Sequence, residues 1–211
     1  MTKPSRIVLL ALAMVAAAAA PLRGEVKEWR IDAAHSYVGF KVRHMMVSWV
    51  RGRFTALEGK VWYDPANFQT AKVELQIDPA SIDTGNEKRD SDLRGEEFFD
   101  VAKYPQIRFV SKKVEGDATS GLKVTGDLTL RGVSKEVVLH VEAPPPAVAD
   151  GRGGEKTGVT ATGKINRGDY ELTWNVLLEA GGVTVSDEVT LEIEAELARG
   201  GPAAPAKKAG N

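Results

Sequence analysis

From Trp29 onward the chain alternates apolar and polar residues with a period of two, the pattern of strands that bury one face. Val38, Phe40 and Val42 share a face with Ser36 and His44, while Tyr37, Lys41 and Arg43 lie on the other. Val73, Leu75 and Ile77 repeat the pattern between Lys72, Glu74, Gln76 and Asp78. The alternation predicts strands over 36–44, 53–63 and 72–78, then over 107–115, 122–130, 134–142, 158–167, 172–178 and 187–197. Glycine-containing turns such as Gly116 to Gly121 and Arg131-Gly132 join them. Eight or nine strands with mostly short connections leave no room for parallel crossovers, so the fold class is all-β, an antiparallel barrel or sandwich.

One stretch breaks the period. Asp83, Thr84 and Asn86 offer helix N-caps before a run of helix formers from Glu87 to Arg94, which predicts one short helix ending near Gly95. The segment from Pro144 to Glu155, rich in Pro and Gly, reads as a long loop. At the N-terminus, Lys3 and Arg6 precede an apolar, alanine-rich run from Ile7 to Ala20. That is the layout of a signal peptide over residues 1–20, too short and too weakly apolar for a membrane span. The structured domain is expected over 25–198, with a disordered tail over 199–211. Export places the mature chain in the periplasm or outside the cell, without stable membrane insertion.

Charge and chemistry narrow the reading. Lys and Arg total 28 against 29 Asp and Glu, so no basic field exists to hold nucleic acid. With no cysteine there is no disulfide or thiolate site. His35 and His44 fall on opposite faces of a regular strand and His140 points outward, so neither a metal nor a cofactor is expected. Asp32, His35 and Ser36 are the residue types of nucleophilic catalysis, but in this setting they read as turn chemistry. The alternative is an exported enzyme acting on an apolar substrate through His35, His44 and Ser36. Glu87, Asp90, Asp92, Glu96 and Glu97 alternate with Lys88, Arg89 and Arg94, the mark of a solvated helix face rather than a catalytic carboxylate pair. What remains is grease: the connection His44 to Val50 is unusually apolar, and eight strands can either fill their bore or leave it open.

The stretches DAAHSYVGFKVRH from Asp32, GRFTALEG from Gly52, SIDTGNEKRDSDLRGEEFFD from Ser81 and YPQIRF from Tyr104 resemble the YceI-like proteins. The resemblance continues through GDLTLRGVSKEVVL from Gly126, the run Asn166 to Tyr170, and VSDEVTLEIE from Val185. It departs at Glu171, where a glycine is usual, and at the greasier Met46 to Val50. It implies an eight-stranded, lipocalin-like barrel with a helix over one end and a tunnel for a long-chain apolar lipid such as an isoprenoid. The residues expected to line that tunnel are Val38, Phe40, Val42, His44, Trp49, Phe54, Val73, Leu75, Ile77, Phe98, Phe99, Phe109, Leu128 and Trp174. His44, Arg51 and Arg53 are the candidate rim donors for a head group, and a homodimer through the barrel mouths is compatible with this arrangement.

Overall fold

The structure is a computed structural model that describes residues 24–178 and 183–201; the expected signal peptide and most of the expected tail lie outside the described residues. Twelve strands form in chain order: β1 (Lys27–Ile31), β2 (Tyr37–His44), β3 (Ser48–Phe54), β4 (Leu57–Asp64), β5 (Asn67–Ile77), β6 (Ile82–Asp83), β7 (Ile107–Asp117), β8 (Gly121–Leu130), β9 (Val133–Val141), β10 (Val148–Ala149), β11 (Gly154–Asn166) and β12 (Val185–Gly200). The single α-helix among the described residues, α1 (Glu87–Arg94), follows β6. Neighbours pair in the order β11-β9-β8-β7-β5-β4-β1-β12, and β12 pairs back onto the whole length of β11, which closes the sheet into an eight-stranded antiparallel barrel.

The additional short strands are continuations of barrel strands. β12, 16 residues long, pairs with β1 through its C-terminal end and with β2 through its N-terminal half. β1 and β2 are thus one strand broken by a 3-10 turn at Ala33–His35. β4 and β3 break in the same way at Thr55-Ala56, and β5 and β6 at the 3-10 turn Pro79–Ser81. Two of the corners share one set of polar contacts. Asp32 accepts from the Ala34 N–H and Asp78 from the Ala80 N–H, capping the 3-10 turns. The Ser36 and Ser81 hydroxyls each donate back to the Asp carbonyl. Each serine also accepts across the break, Ser36 from the Glu196 N–H and Ser81 from those of Thr55 and Ala56, so these three donors are not stranded.

Four expectations are corrected. The predicted strand over 53–63 is two strands, because Phe54 and Leu57 both pack on the main core, and an unbroken two-residue period cannot place both there. The predicted strand over 172–178 forms no ladder beyond a single bridge between Leu177 and Val183. The long loop carries the short strand β10, paired with the start of β11. The final strand runs to Gly200, two residues into the segment expected to be disordered. The helix stands as expected: the Asn86 side chain accepts from the Arg89 N–H at 2.9 Å and Gly95 ends it.

Candidate functional site

Inward side chains of the barrel surround a cavity of about 950 Å³ instead of filling the bore. One end is shut. Trp29, Tyr63 and Leu197 are each at most 3% exposed there, Trp29 stacks on Tyr63 at 5.6 Å, and Tyr63 stacks on Phe68 at 5.7 Å. Tyr63, Phe68 and Leu197 face the cavity, with Trp29 behind them. Above this floor the walls are apolar, from Val38, Phe40 and Val42 on β2 through Val73, Leu75 and Ile77 on β5 to Leu128 on β8.

The other end is built from α1, the segment after it, and the segment Leu172–Leu178. α1 is held by hydrogen bonds more than by grease, since its one buried residue is Asp90. The Thr84 N–H and hydroxyl donate to Asp90, while the Arg89 guanidinium donates to the Thr84 hydroxyl at 2.8 Å and to its carbonyl at 2.9 Å. Arg94 donates to the carbonyls of Ala80 and Ile82. Beyond α1, Phe99 sets its edge against Phe54 at 5.7 Å and Phe98 lies against Trp174 at 5.2 Å. The Arg131 guanidinium holds this segment by donating to the Glu96 and Phe98 carbonyls.

The Trp174 side of the mouth depends on Arg167, which is not among the residues expected to line the tunnel. It is 5% exposed, and burial lowers its pKa from the ordinary guanidinium value. Its guanidinium donates to the carbonyls of Leu172, Trp174 and Ser186 and meets Asp187 at 3.4 Å. Asn175 completes the stitching: its side chain donates to the Val185 carbonyl and accepts the Val185 N–H, imitating a strand partner. These contacts take up the backbone groups of Leu172, Trp174 and Val185 in the absence of a ladder. Beside Arg167, Tyr170 is 1% exposed with no hydrogen-bond partner for its hydroxyl, and burial, followed by the Asp169 charge, pushes its pKa up to about 12.

Every residue expected to line the tunnel faces this cavity except Trp49. In β3 the inward positions are Val50, Gly52 and Phe54, so Trp49 points outward with Arg51 and Arg53 and packs under the Arg43 guanidinium at 4.2 Å. Arg51 and Arg53 are therefore not rim donors: Arg53 pairs with Asp83 at 3.0 Å and Arg51 lies 4.0 Å from Glu192. His44 does face the cavity, at the mouth end of β2.

His35 and Ser36 sit at the opposite end of β2 from His44, so the three groups of the enzymatic alternative are not brought together. The Ser36 hydroxyl is committed to backbone on both sides. His35 is 2.9 Å from the Asp32 carboxylate. Desolvation works against the Asp32 charge, but the His35 hydrogen bond, the Ala34 N–H and the nearby Lys156 outweigh it and lower the pKa of that carboxyl. Asp32, His35 and Glu196 place their ligating atoms within 4.8 Å of one another, yet the Lys156 ammonium already pairs with Glu196 and lies 3.8 Å from Asp32. The cation of that corner is a lysine.

Comparison with known proteins agrees with this architecture. A UPF0312 protein of Staphylococcus aureus is 39% identical over 165 residues, covering 78% of this chain and 94% of that protein. The crystal structure of the Campylobacter jejuni YceI protein superposes with a TM-score of 0.64 at 36% identity, covering 80% of this chain and 96% of that one. BcnA of Burkholderia cenocepacia superposes with a TM-score of 0.67 at 25% identity over 79% of this chain and 98% of that one. The YceI-like domain matches residues 29–197, and the chain belongs to the YceI-like family.

Proposed function

We propose that this protein is exported and carries a long-chain apolar lipid of the polyisoprenoid type, a quinone or polyprenol, inside the barrel without reacting with it. The observation that supports this reading is the hollow bore: about 950 Å³ walled by aliphatic and aromatic side chains and shut at one end. Burying on the order of 400 Å² of hydrocarbon favours binding by about 10 kcal/mol at roughly 25 cal/mol per Å². Association and ordering cost about 4 to 15 kcal/mol. Net affinity therefore depends on walls that are already in place, and a closed sheet in which each barrel strand pairs with a neighbour on both sides supplies them. His44 faces the cavity at the mouth end, where Ser91, Glu96, Glu97 and Thr184 also line it, and is a polar group available to a head group.

The test is to isolate the mature protein without detergent, extract it with organic solvent and identify the lipid by mass spectrometry. An isoprenoid quinone or polyprenol near one per chain is expected. Ala161→Trp, which puts a large ring into the bore from a wall residue, should fold and lose that lipid. Recovery of no lipid from the native protein, or equal recovery from the blocked variant, overturns the reading. N-terminal sequencing of protein from the periplasmic fraction tests export.

A further inference from the structure

Two apolar tips stand out from the mouth. Met45, Met46 and Val47, which join β2 to β3, are 46%, 54% and 78% exposed, and Val176 and Leu177 on the neighbouring segment are 52% and 82% exposed. The tips are tied together: the Met45 N–H donates to the Thr184 carbonyl at 2.8 Å, and the Thr184 N–H to the Val176 carbonyl at 3.0 Å. They are also continuous with the bore, because His44, Thr184 and Val185, directly adjoining them, line the cavity. Isolated surface hydrophobics need no explanation, but a joined cluster at a cavity mouth does.

The turn at the first tip sharpens the point. The Val47 N–H donates to the His44 carbonyl at 3.1 Å, with Met45 and Met46 at φ 49° and 63°. Positive φ at both central residues is the type I′ arrangement, which favours Asn-Gly and penalises side chains such as methionine. At the same end of the barrel, the β8–β9 turn has the same backbone signs, φ 50° and 74°, at Arg131 and Gly132. There glycine relieves one position, and the Arg131 side chain holds the segment after α1. Met45 and Met46 take on the strain and leave both side chains substantially in water.

We propose that these tips dock on an anionic phospholipid bilayer, which rests on the reading of the protein as a carrier of a membrane-borne lipid. The charge around them supports a lipid surface. Trp49, 39% exposed, lies just behind the first tip with the Arg43 guanidinium on its face. An aromatic ring and an arginine directly behind an apolar tip match the order of acyl chain, interface and head group. On β12 the acids Asp187, Glu188 and Glu192 are paired, with Arg167, Lys164 and Lys41. A second copy across a two-fold axis would instead bring the two Arg43 groups into one interface and close both mouths.

Flotation of the mature protein with vesicles tests the proposal. Phosphatidylglycerol–phosphatidylethanolamine vesicles should carry the protein up the gradient, and pure phosphatidylcholine vesicles or high salt should do so several-fold less. Replacing the turn as Met45→Asn with Met46→Gly should raise the melting temperature yet lower flotation about tenfold or more. Leu177→Asp should lower flotation to a similar extent. Binding of a detergent-solubilised isoprenoid, measured without vesicles, should stay within about twofold of wild type in the Asn-Gly variant, which keeps docking separate from carriage. Wild-type protein that binds solubilised isoprenoid but never floats overturns docking and leaves the carrier reading standing. Flotation that survives the Asn-Gly turn, loss of solubilised-lipid binding in that variant, or a dimer that the variant dissolves without any vesicle binding each overturns it as well.

Discussion

The two ends of the barrel are closed by different physics. The floor is a stack of rings, Trp29 on Tyr63 on Phe68, with Leu197 beside them, inside regular strands whose backbone groups are paired by their neighbours. The mouth is irregular chain held by guanidinium groups: Arg94 and Arg131 pin α1 and the segment after it, and Arg167 pins Leu172 and Trp174. Apolar burial is non-directional and yields a rigid plug. Hydrogen bonds to carbonyls fix where a segment sits at modest net stability, so such a segment opens at lower free energy than the strands around it. On the proposed carrier reading, loading through the mouth would use this asymmetry.

The largest effect should come from the floor. Trp29→Ala removes a side chain that is 1% exposed, and truncation of a buried Trp costs about 3–5 kcal/mol. For a domain of this size that is a fall of about 10 °C or more in the midpoint of thermal unfolding followed by circular dichroism. Because Trp29 backs the floor without facing the cavity, affinity for a solubilised isoprenoid, measured well below the new midpoint, should change little. A large loss of affinity with unchanged stability would reverse the roles assigned to the two ends.

The mouth should answer in the opposite sense. Arg167→Met keeps an unbranched chain of similar reach but strands the carbonyls of Leu172, Trp174 and Ser186, at about 1–3 kcal/mol for loss of a buried partner. Asp187 is 66% exposed and rehydrates, so no buried charge is left behind. Stability should fall less than in Trp29→Ala, while limited proteolysis should cut between Leu172 and Leu178 and lipid affinity should drop about tenfold or more. Cleavage elsewhere, or unchanged affinity, would separate Arg167 from the mouth.

The same contrast decides what was legible in the sequence. Walls and floor belong to regular strands, and alternation identified Val38, Phe40, Val42, Val73, Leu75 and Ile77 as sharing the inner face because a ladder enforces the period. Two errors were avoidable by parity. Counting back from Phe54 in steps of two gives Gly52 and Val50 and excludes Trp49; counting forward misses Leu57 and so demands a break at Thr55-Ala56. At the mouth, Phe98, Phe99 and Trp174 are expected to line the tunnel and do, but how their segments are held carries no comparable signal. Leu172, Trp174 and Val176 alternate like a strand, but the Leu172 and Trp174 carbonyls are claimed by Arg167, and a carbonyl leaves no trace in the sequence of the residue that bonds it. The corner residues Asp32 and Ser36 were read as turn chemistry, and their hydrogen bonds are those of a turn; what the sequence could not supply was Lys156 and Glu196, brought in from β11 and β12.

The smallest effect tests how finely the mouth is set. Glu171 ends the 3-10 turn Arg167–Tyr170 at φ 62° and ψ 21°, a left-handed conformation, with its N–H donating to the Gly168 carbonyl at 3.1 Å. A side chain costs about 1–2 kcal/mol in that region, and glycine recovers this at the expense of roughly 0.5–1 kcal/mol of extra chain entropy in the unfolded state. Glu171→Gly should therefore raise stability by roughly 0.5–1 kcal/mol, or about 1–4 °C in the unfolding midpoint. Glu171→Ala should give no such gain, because alanine keeps the Cβ and with it the strain, so the pair of variants separates backbone conformation from loss of the exposed carboxylate. Lipid affinity should be unmoved in both, since Arg167, two hydrogen bonds deep in the adjoining segment, holds Trp174 whatever follows the turn. A gain in stability bought with weaker lipid binding would instead mean that the stiffness of Glu171 helps to hold the mouth in its binding geometry.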